Sequence, residues 1–242
     1  PGYGVVTLGG NVKWNKLYKY PSSTRSLIQG SRHYDVNQEK LPSVTTILAA
    51  TQSEEKRESL KAWQERVGKE NSLRIRDQAA ERGTAMHAYL EDYLNGKERV
   101  DLTPLGQEAR PMAQQIIDKG LNNLEEIWGS EVTVFYPGLY AGAADVAGIY
   151  QGVESICDFK QSNKPKQRAW ITDYFIQLGA YAMAHNHIYN TKITQGVILL
   201  CTKDGFFQQF IVNGSAFVSY QHDFLRKVDQ YYKECVQNVA KV

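Results

Sequence analysis

The spacing of apolar residues separates a helical first half of the chain from a second half in which strands and helices alternate. Between residues 53 and 94, apolar side chains recur at every third or fourth position, which is the period of an amphipathic helix. Gly68 interrupts this stretch and predicts two helices rather than one. The same period over residues 104–127 predicts a further helix, so the first half is expected to be largely helical.

A short helix and a β-rich segment are predicted before these helices. Pro42 and Ser43 are typical of a helix entry, with Ser43 as the N-cap of a helix over residues 44–50. Residues 3–36 are rich in Tyr, Lys, Ser and Gly and alternate in polarity only over short stretches. They predict a small β-ribbon or an irregular arm.

From Glu131 onwards, strands become the main prediction. Strands are expected over residues 131–136, 140–150, 153–160, 195–201 and 206–212, and helices over residues 172–187 and 216–240. This order predicts an α/β fold with a mixed central sheet flanked by helices and preceded by the helical region. We expect residues 1–242 to form a single domain, with the helical part at about 40–128 and the sheet core at about 129–242.

The composition is that of an ordinary folded protein. Of 242 residues, 42% are hydrophobic and 22% are charged, which argues against disordered and fibrous classes. Apolar runs stay well short of the roughly 18 residues of a membrane span, so no membrane association is expected. Residues 1–10 lack the basic and hydrophobic segments of a secretory or transit signal. By itself, a net charge of +2 argues against a nucleic-acid-binding protein.

The three cysteines, Cys157, Cys201 and Cys235, are widely separated and form no CxxC pair. A cluster or zinc site held by cysteines alone needs four of them, so no iron–sulfur cluster is expected. The cysteines instead predict buried free thiols in a reducing cytoplasm.

Two carboxylates and one amine are predicted to converge where two neighbouring strands meet. Asp158 and Lys160 are separated by one residue on a predicted strand, so their side chains point to the same face. Asp145 lies on the preceding predicted strand and is expected beside them. Carboxylate oxygens favour Mg²⁺ or Mn²⁺, and the Lys160 ammonium would orient an attacking water or stabilise negative charge on a phosphoryl group. The alternative is a salt bridge at a sheet edge.

A histidine on an upstream helix extends this set. Gly83, His87 and Glu91 are four residues apart and therefore share one helix face. The missing side chain at Gly83 leaves room beside His87, whose imidazole would add a nitrogen ligand to a metal. Glu91 would hold the imidazole or be solvated, and a purely structural histidine is the alternative.

The helix and the loop that follow Lys160 carry groups suited to a nucleic acid. Tyr174, Gln177 and Tyr181 share one helix face and would orient Lys160 or contact phosphates, unless they belong to an ordinary amphipathic interface. The loop from Lys160 to Trp170 contains four basic residues and no acid, as expected of a contact to phosphates. Its candidate DNA-binding residues are Ser162, Lys164, Lys166, Arg168 and Trp170. Trp170 would stack on a base or anchor in the core.

Together these residues resemble a known nuclease motif, formed by His87, Asp145, Asp158, Lys160, Gln177 and Tyr181. The motif is similar to that of PD-(D/E)XK nucleases, and its histidine, glutamine and tyrosine to those of the RecB exonuclease type. Residues 41–48, 63–68 and 80–87 are similar to phage exonucleases related to the mitochondrial genome maintenance exonuclease. The resemblance runs from about Arg32 to the last predicted helix.

This resemblance implies a metal-dependent exonuclease that prefers single-stranded DNA or single-stranded ends, in DNA replication, repair or recombination. It implies that Asp145, Asp158 and His87 bind Mg²⁺ or Mn²⁺ together with the carbonyl of Phe159, and that Lys160 is catalytic. Position 158 is Asp where many members have Glu, so a shorter side chain reaches the same metal. The implied partner is DNA, and a monomer in the cytoplasm of a bacterium or a phage-infected cell is expected.

In members of this type, helices arch over the site, and residues 53–82 would form such an arch here. Eight basic residues, Arg66 and Arg82 among them, interleave with seven acidic residues in this stretch. DNA binding by Arg66 and Arg82 is expected, with a solvated helix face as the alternative. Because bound cations add positive charge, the net charge of +2 does not exclude DNA as a partner.

Three other functions are left open by the residues. The first is a double-strand end-resecting exonuclease resembling lambda exonuclease. The second is a DNA-binding module with a nuclease fold that has lost its activity, and the third is a structural α/β protein. The intact set of Asp145, Asp158 and Lys160 favours an active enzyme over the last two.

Overall fold

Two β-sheets and six α-helices form the part of the chain that this computed structural model describes, which is residues 7–8 and 12–239, with side chains from residue 13 to residue 235. The strands are β1 (Thr7–Leu8), β2 (Val12–Trp14), β3 (Thr24–Ile28), β4 (Ser31–Val36), β5 (Glu39–Pro42), β6 (Leu124–Tyr136), β7 (Tyr140–Tyr150), β8 (Val153–Ser162), β9 (Gln195–Thr202) and β10 (Phe207–Asn213). The α-helices are α1 (Val44–Ala50), α2 (Glu54–Val67), α3 (Lys69–Leu94), α4 (Pro104–Lys119), α5 (Thr172–Tyr189) and α6 (Gly214–Val239). Short 3₁₀ turns occupy Leu121–Asn123 and Arg168–Trp170. Residues 3–6 and 9–11 of the predicted ribbon, and residue 240 of the last predicted helix, lie outside the described residues.

A seven-stranded sheet forms the centre of the fold, in the order β1-β2-β6-β7-β8-β9-β10. The pairs β2–β6 and β8–β9 are parallel, and the other neighbours are antiparallel. Every residue of β9 is buried, because α4 covers one face of this strand and α5 and α6 cover the other. The predicted α/β fold with a mixed central sheet flanked by helices is therefore confirmed.

A second sheet of three antiparallel strands, β3-β4-β5, lies against β7. Tyr34 and Leu41 of this small sheet pack with Phe135 and Ala141 of the large sheet in a separate small core. The ribbon predicted for this region matches β3 and β4, but the prediction does not include β5. The helical region is thus preceded by a sheet that the apolar pattern alone did not indicate.

Local sequence signals explain the ends of the first helices. Ser43 caps α1, and its hydroxyl accepts a hydrogen bond from Thr46 N at 3.0 Å, as predicted. Gly68 separates α2 from α3 with a φ of 87°, which glycine adopts without steric strain, so the predicted break is confirmed. Although the apolar spacing of α2 is that of an amphipathic helix, no residue of α2 is buried and Leu60 is exposed.

The helix predicted over residues 104–127 ends earlier than expected. α4 stops at Lys119, and β6 begins at Leu124 and pairs with β7. Leu124 and Ile127 fit a helical spacing, yet in an unbroken strand they would point to opposite faces. Irregularities in the register of β6 rotate the strand locally, so that both side chains lie in the same core. A bulged strand can therefore show the apolar spacing that is typical of a helix. The boundary expected near residue 128 between the helical part and the sheet core therefore falls inside β6. That residues 1–242 form a single domain stays a prediction.

The remaining predicted elements are confirmed, with ends that differ by no more than two residues among the described residues. The strand predicted at Glu131 is the second half of β6. Within the described part of the chain, the helices are too short or too polar to cross a bilayer. Cys157 and Cys201 are buried free thiols as predicted, but Cys235 is exposed.

An aromatic cluster joins the segment before β3 to α5. The hydroxyl of Tyr20 lies 2.8 Å from His185 Nε2, and His185 Nδ1 lies 2.8 Å from the Thr191 hydroxyl. The imidazole also stacks on Trp128, with the ring centres 5.7 Å apart. Burial among these groups lowers the pKa of His185 to about 4, so the imidazole is neutral in the folded protein.

We expect His185 to make the fold sensitive to acid. Because an unfolded histidine titrates near pH 6.5, the unfolded chain binds a proton between about pH 6.5 and pH 4 that the folded chain excludes. The contribution of this group is therefore complete above about pH 6.5 and is lost as the pH falls toward 4. From pH 7 to pH 5 the expected loss in the free energy of unfolding is about 2 kcal/mol.

Urea unfolding of the wild type and of His185→Asn at both pH values measures this loss. The exposed His222 provides a matched control, since His222→Asn is expected to keep the wild-type pH dependence. An unfolding free energy that falls equally with pH in the wild type and in His185→Asn would contradict the prediction.

Candidate active site

Two carboxylates lie side by side where β7 and β8 pair. The register aligns Val146 with Cys157, which makes Asp145 and Asp158 neighbours across the two strands. Both side chains are buried, and Asp145 Oδ2 accepts a hydrogen bond from Phe159 N at 2.8 Å. The predicted convergence of the two acids is therefore present in the structure.

Lys160 completes the cluster from the same strand face as Asp158, as the alternation of β8 predicted. Its ammonium Nζ lies 2.6 Å from Asp158 Oδ2 and donates a hydrogen bond to Gln177 Oε1 at 2.9 Å. It also lies 4.6 Å from the centre of the Tyr174 ring. Lys160 is thus held from three sides by charge, hydrogen bonding and an aromatic face.

Gln177 contacts the Lys160 ammonium directly, and Tyr181 contacts Gln177 in turn. Gln177 Nε2 donates a hydrogen bond to the Tyr181 hydroxyl at 2.8 Å, and both side chains are buried. Gly142 makes this possible, because a Cβ at this position would lie 2.5 Å from the Tyr181 ring. Of the two predicted roles for these residues, the structure contains the contact of Gln177 to Lys160. Both side chains also line the cleft described below, so a contact to DNA stays a prediction.

His87 reaches the cluster from α3. Its Nδ1 lies 3.2 Å from Asp145 Oδ1, and its Nε2 lies 2.8 Å from the carbonyl oxygen of Phe159. Burial lowers the pKa of His87, but the Asp145 carboxylate outweighs it and raises the pKa to about 9. Gly83, one turn earlier, faces the side chain of Gln161 on β8, and a Cβ there would lie 3.3 Å from Gln161 Cγ.

The electrostatics of the acid pair favour a bound cation. Burial, and then the charge of Asp158, hold the pKa of Asp145 well above its usual range. Burial acts in the same direction on Asp158, but the neighbouring Lys160 lowers the pKa of that carboxyl. Asp158 Oδ2 is buried, and apart from the ion pair with Lys160 no partner satisfies it with hydrogen-bond geometry. Carboxylate oxygens and an imidazole nitrogen are ligands that hard divalent cations accept, and His87 and Asp145 belong to a group of three side chains whose ligand atoms lie within 4.8 Å of one another.

Glu131 is a further acid in this cluster that sequence reasoning did not identify. It lies on β6 between the pairs Ser130–Val146 and Val132–Ala144, which places it opposite Asp145. One oxygen of Glu131, one nitrogen of His87 and one oxygen of Asp145 lie within 4.8 Å of one another. The backbone of Glu131 has a φ of 51°, an unusual value for a residue other than glycine, and strain of this kind is common at functional sites.

Three residues singled out in the sequence do not take the site roles considered for them. Of the two alternatives for Glu91, the structure has the solvated one, because Glu91 is exposed and Asp145 contacts His87 instead. Arg82 is not available to DNA, because its guanidinium is buried and is held by Glu108, Gln161 and Asn163. Ser162 is likewise buried, and its hydroxyl donates to Lys164 O at 2.6 Å, which fixes a turn.

The other predicted DNA-binding residues lie on exposed segments. Lys164 and Arg168 are exposed on the loop after β8, Lys166 is half-buried there, and Arg66 is exposed on α2. Arg168 donates a hydrogen bond to the carbonyl of Ile211 at 2.8 Å. Trp170 is 63% exposed, so the alternative in which it anchors in the core is excluded.

The cluster around Asp145 and Asp158 opens into a cleft of about 200 Å³. Its walls include His87, Asp145, Asp158 and Lys160 on the large sheet and α3. Arg25 and Arg32 of the small sheet line the opposite side. The cleft therefore brings acidic, imidazole and ammonium groups together with two arginines that the sequence did not single out.

Comparison with known proteins supports a nuclease. The chain is 30% identical over 175 residues to mitochondrial genome maintenance exonuclease 1 of Mus musculus, 29% over 179 residues to that of Xenopus tropicalis and 28% over 176 residues to that of Homo sapiens. Each alignment covers 68% of this chain but only 51%, 49% and 50% of the respective relative. The chain thus spans about half the length of the curated relatives it matches. This similarity supports an exonuclease family and a nuclease function.

Two other comparisons add little. No family model matches the sequence. A solved structure from Eubacterium rectale aligns with 64% of this chain and 66% of its own chain, with a TM-score of 0.47 and 14% identity, and this likeness carries no argument about function. Since the relatives above are named as mitochondrial proteins of animals, a bacterial or phage-infected host stays a prediction.

If Arg82 has the structural role seen here, its removal will destabilise the fold. Arg82→Ala removes a buried guanidinium with its hydrogen bonds to Glu108, Gln161 and Asn163, while Glu108 keeps Lys203 at 3.5 Å. The free energy of unfolding is expected to fall by about 2 kcal/mol. Arg82→Lys keeps the charge but loses the forked hydrogen bonds, so it should recover part of the loss. Urea unfolding measures both variants.

The exposed Arg66 is the matched control, and Arg66→Ala is expected to change the free energy of unfolding by about 0.5 kcal/mol or less. Equal stability of Arg82→Ala and the wild type would show that the buried network contributes nothing and would reopen a role for Arg82 in binding DNA.

A divalent cation is expected to stabilise the protein through the acid pair. Mn²⁺ at about one hundred times its dissociation constant adds about 2.7 kcal/mol, which corresponds to a rise of about 5–10 °C in the melting temperature. Asp145→Asn should abolish this rise, whereas Asp229→Asn, which alters an exposed carboxylate on α6, should keep it. Differential scanning calorimetry with and without Mn²⁺ provides the measurement, and an undiminished rise in Asp145→Asn would refute a cation at this position.

Proposed function

We propose that this chain is a metal-dependent DNA exonuclease of the PD-(D/E)XK type that hydrolyses phosphodiester bonds of single-stranded DNA or of single-stranded ends. The observation that carries the proposal is the cluster of Asp145, Asp158, Lys160 and His87 at one cleft, in which both carboxylates are buried and the lysine and histidine are partly exposed. Similarity to proteins named as exonucleases supports the same chemistry. DNA replication, repair or recombination is the process in which such an activity is used.

Asp145, Asp158, His87 and the Phe159 carbonyl are the groups that would hold Mg²⁺ or Mn²⁺. When bound, such a cation polarises the phosphodiester and lowers the pKa of a water molecule. Asp145 is oriented for this by the hydrogen bond from Phe159 N, and the peptide of Phe159 is fixed in turn by the pairing of β8 with β9. The protein therefore supplies a rigid frame on paired strands rather than on mobile loops.

Lys160 would act on the negative charge that develops on the scissile phosphate. Although burial lowers the pKa of Lys160, the adjacent Asp158 raises it above the ordinary value, so the side chain is an ammonium at neutral pH. A group that stays protonated stabilises charge and orients water by donation rather than by accepting a proton. Gln177 would be a positioning residue, because it holds Nζ of Lys160 and touches Tyr181 in turn.

The sharpest prediction concerns Lys160. Lys160→Ala removes the charge next to the reacting phosphate and is expected to lower the cleavage rate by a factor of about 10³ or more, while DNA binding survives. The measurement is digestion of end-labelled single-stranded DNA in Mg²⁺ or Mn²⁺, with anisotropy of the same DNA as the binding assay. Lys233→Ala, an exposed lysine on α6, is the matched control and should keep full activity.

The substrates in this assay separate the alternatives. Circular single-stranded DNA should resist digestion, since an exonuclease needs a free end, and a chelator should stop all cleavage. Faster degradation of blunt duplex than of single strands would favour a double-strand end-resecting enzyme. Binding without any cleavage in the wild type would favour a DNA-binding module, and persistent cleavage by rigorously purified Lys160→Ala would falsify the role given to Lys160.

A further inference from the structure

Two further cavities adjoin the catalytic cleft, one on each side. A cavity of about 540 Å³ between the β3–β4 hairpin and α1 shares Arg32 and Thr45 with the cleft. A cavity of about 390 Å³ on the other side shares Arg25, Tyr34 and Glu131 with it. We call the three spaces together the small-sheet groove; the acid pair lines the cleft, which shares lining residues with both outer cavities.

The small sheet turns both arginines toward this groove. In the β3–β4 register, Arg25 lies opposite Tyr34 and Leu27 lies opposite Arg32. Because side chains alternate along a strand, these four share one face of the sheet. Tyr34 is buried in the small core against the large sheet, so the face that carries Arg25 and Arg32 is the one turned toward the active site.

The backbone of Arg32 is fixed while its guanidinium is available. The Arg32 carbonyl accepts hydrogen bonds from Ser43 N at 3.0 Å and from the Thr46 hydroxyl at 2.9 Å, which anchors β4 to α1. Among the described residues, no hydrogen bond or ion pair involves the Arg32 side chain, which is exposed. A fixed attachment with a free charged end is a suitable arrangement for binding a phosphate.

Arg25 is held only loosely at the other side of the cleft. Its Nη2 lies 3.8 Å from Glu131 Oε1, and its guanidinium lies 5.8 Å from the centre of the Tyr34 ring. The side chain is 54% exposed, so this ion pair is weak and can yield to a phosphate. Arg25 and Arg32 thus flank the acid pair along the groove.

The rest of the groove lining suits a polyanion. Hydroxyl groups line both outer cavities, from Ser22, Ser23 and Thr133 on one side and from Ser31, Thr45 and Thr46 on the other. The larger outer cavity contains no acidic side chain, and the smaller one contains only Glu131. Away from its centre, therefore, the groove combines positive charge with neutral hydrogen-bonding groups.

We propose that single-stranded DNA lies along the small-sheet groove, with Arg32 and Arg25 binding phosphates on opposite sides of the scissile bond. This inference rests on the proposed nuclease function and specifies the path of its substrate. On this proposal the small sheet, rather than the exposed helix α2, holds the single-stranded DNA over the acid pair. Arg25 and Arg32 are therefore substrate-binding residues in addition to those of the loop after β8.

The test is binding of a fluorescein-labelled oligothymidylate to Lys160→Ala protein in Mg²⁺ over a series of salt concentrations. Arg25→Gln and Arg32→Gln, each added to this parent, should weaken binding about tenfold at low salt. Each should also lower the slope of log affinity against log salt by about 0.7, the value for one phosphate contact with a single strand. Arg25→Lys and Arg32→Lys keep the charge and should restore the slope.

Arg110→Gln is the matched control, because Arg110 is an exposed arginine on α4, on the opposite side of the large sheet from α1. It should bind like the parent, and Arg66→Gln on α2 should weaken binding less than either groove variant. Affinity and salt slope within twofold of the parent for Arg25→Gln and Arg32→Gln, in proteins with an unchanged melting temperature, would overturn the proposed path.

A separate measurement shows whether only the proposed DNA path is wrong or whether the proposed nuclease function is wrong as well. Hydrolysis of bis(4-nitrophenyl) phosphate by the wild type in Mn²⁺ needs the acid pair and Lys160 but not the length of the groove. If the wild type hydrolyses this small diester and the groove variants bind DNA normally, only the path is wrong. If the parent protein binds no oligothymidylate and the wild type hydrolyses no diester, both proposals fall.

Discussion

Two acidic side chains, Asp145 and Asp158, share one buried position between neighbouring strands, and their mutual repulsion determines what surrounds them. At a separation of 4 Å and an effective dielectric constant of about 20, two like charges repel by about 4 kcal/mol. Such a pair persists in a fold only when positive groups and hydrogen-bond donors compensate it. In this protein Lys160, His87 and the amide of Phe159 surround the pair, and the arrangement leaves a donor set suited to a divalent cation.

Much of the packing around the site serves to bring these compensating groups close. Gly142 leaves the space that the Tyr181 ring fills, and Tyr181 in turn touches the glutamine that holds Lys160. Gly83 faces the Gln161 side chain where α3 packs on β8, and one turn later His87 reaches Asp145 and the Phe159 carbonyl. Gly142 and Gly83 therefore lie where neighbouring elements pack closely. This close packing brings Lys160 and His87 to the acid pair, whose negative charge they compensate.

Strand alternation and helix capping were enough to predict part of this site. Asp158 and Lys160 lie on one face because side chains alternate along a strand. Ser43 identifies the start of α1 because its hydroxyl accepts a hydrogen bond from a backbone amide of the first turn. These are local rules that act within a few residues. The same rules placed Glu91 near His87, but a shared helix face does not say which of two acids reaches the imidazole.

What the sequence did not predict depends on contacts between distant segments. The bulged course of β6 gives Leu124 and Ile127 a helical spacing and turns Glu131 toward Asp145 through a positive φ that no local pattern announces. Arg25 and Arg32 appear as isolated charges in a polar stretch of the sequence. Their importance emerges only when the hairpin, which turns at Gln29 and Gly30 with positive φ, folds back over the cleft.

The distribution of charged residues, rather than their sum, explains why a net charge of +2 fits a polyanionic substrate. On the proposed function, the centre of the small-sheet groove carries Asp145, Asp158 and Glu131 beside Lys160 and His87, so a phosphate alone meets carboxylates as well as positive groups there. A divalent cation held by these acids adds positive charge at the centre, and the DNA then gains attraction there as well as at Arg25 and Arg32. Binding of the cation and binding of the strand must therefore favour each other, and thermodynamic reciprocity makes the effect equal in both directions. A charge summed over the whole chain cancels the acids of the centre against the arginines beside it, although recognition depends on that arrangement along one groove.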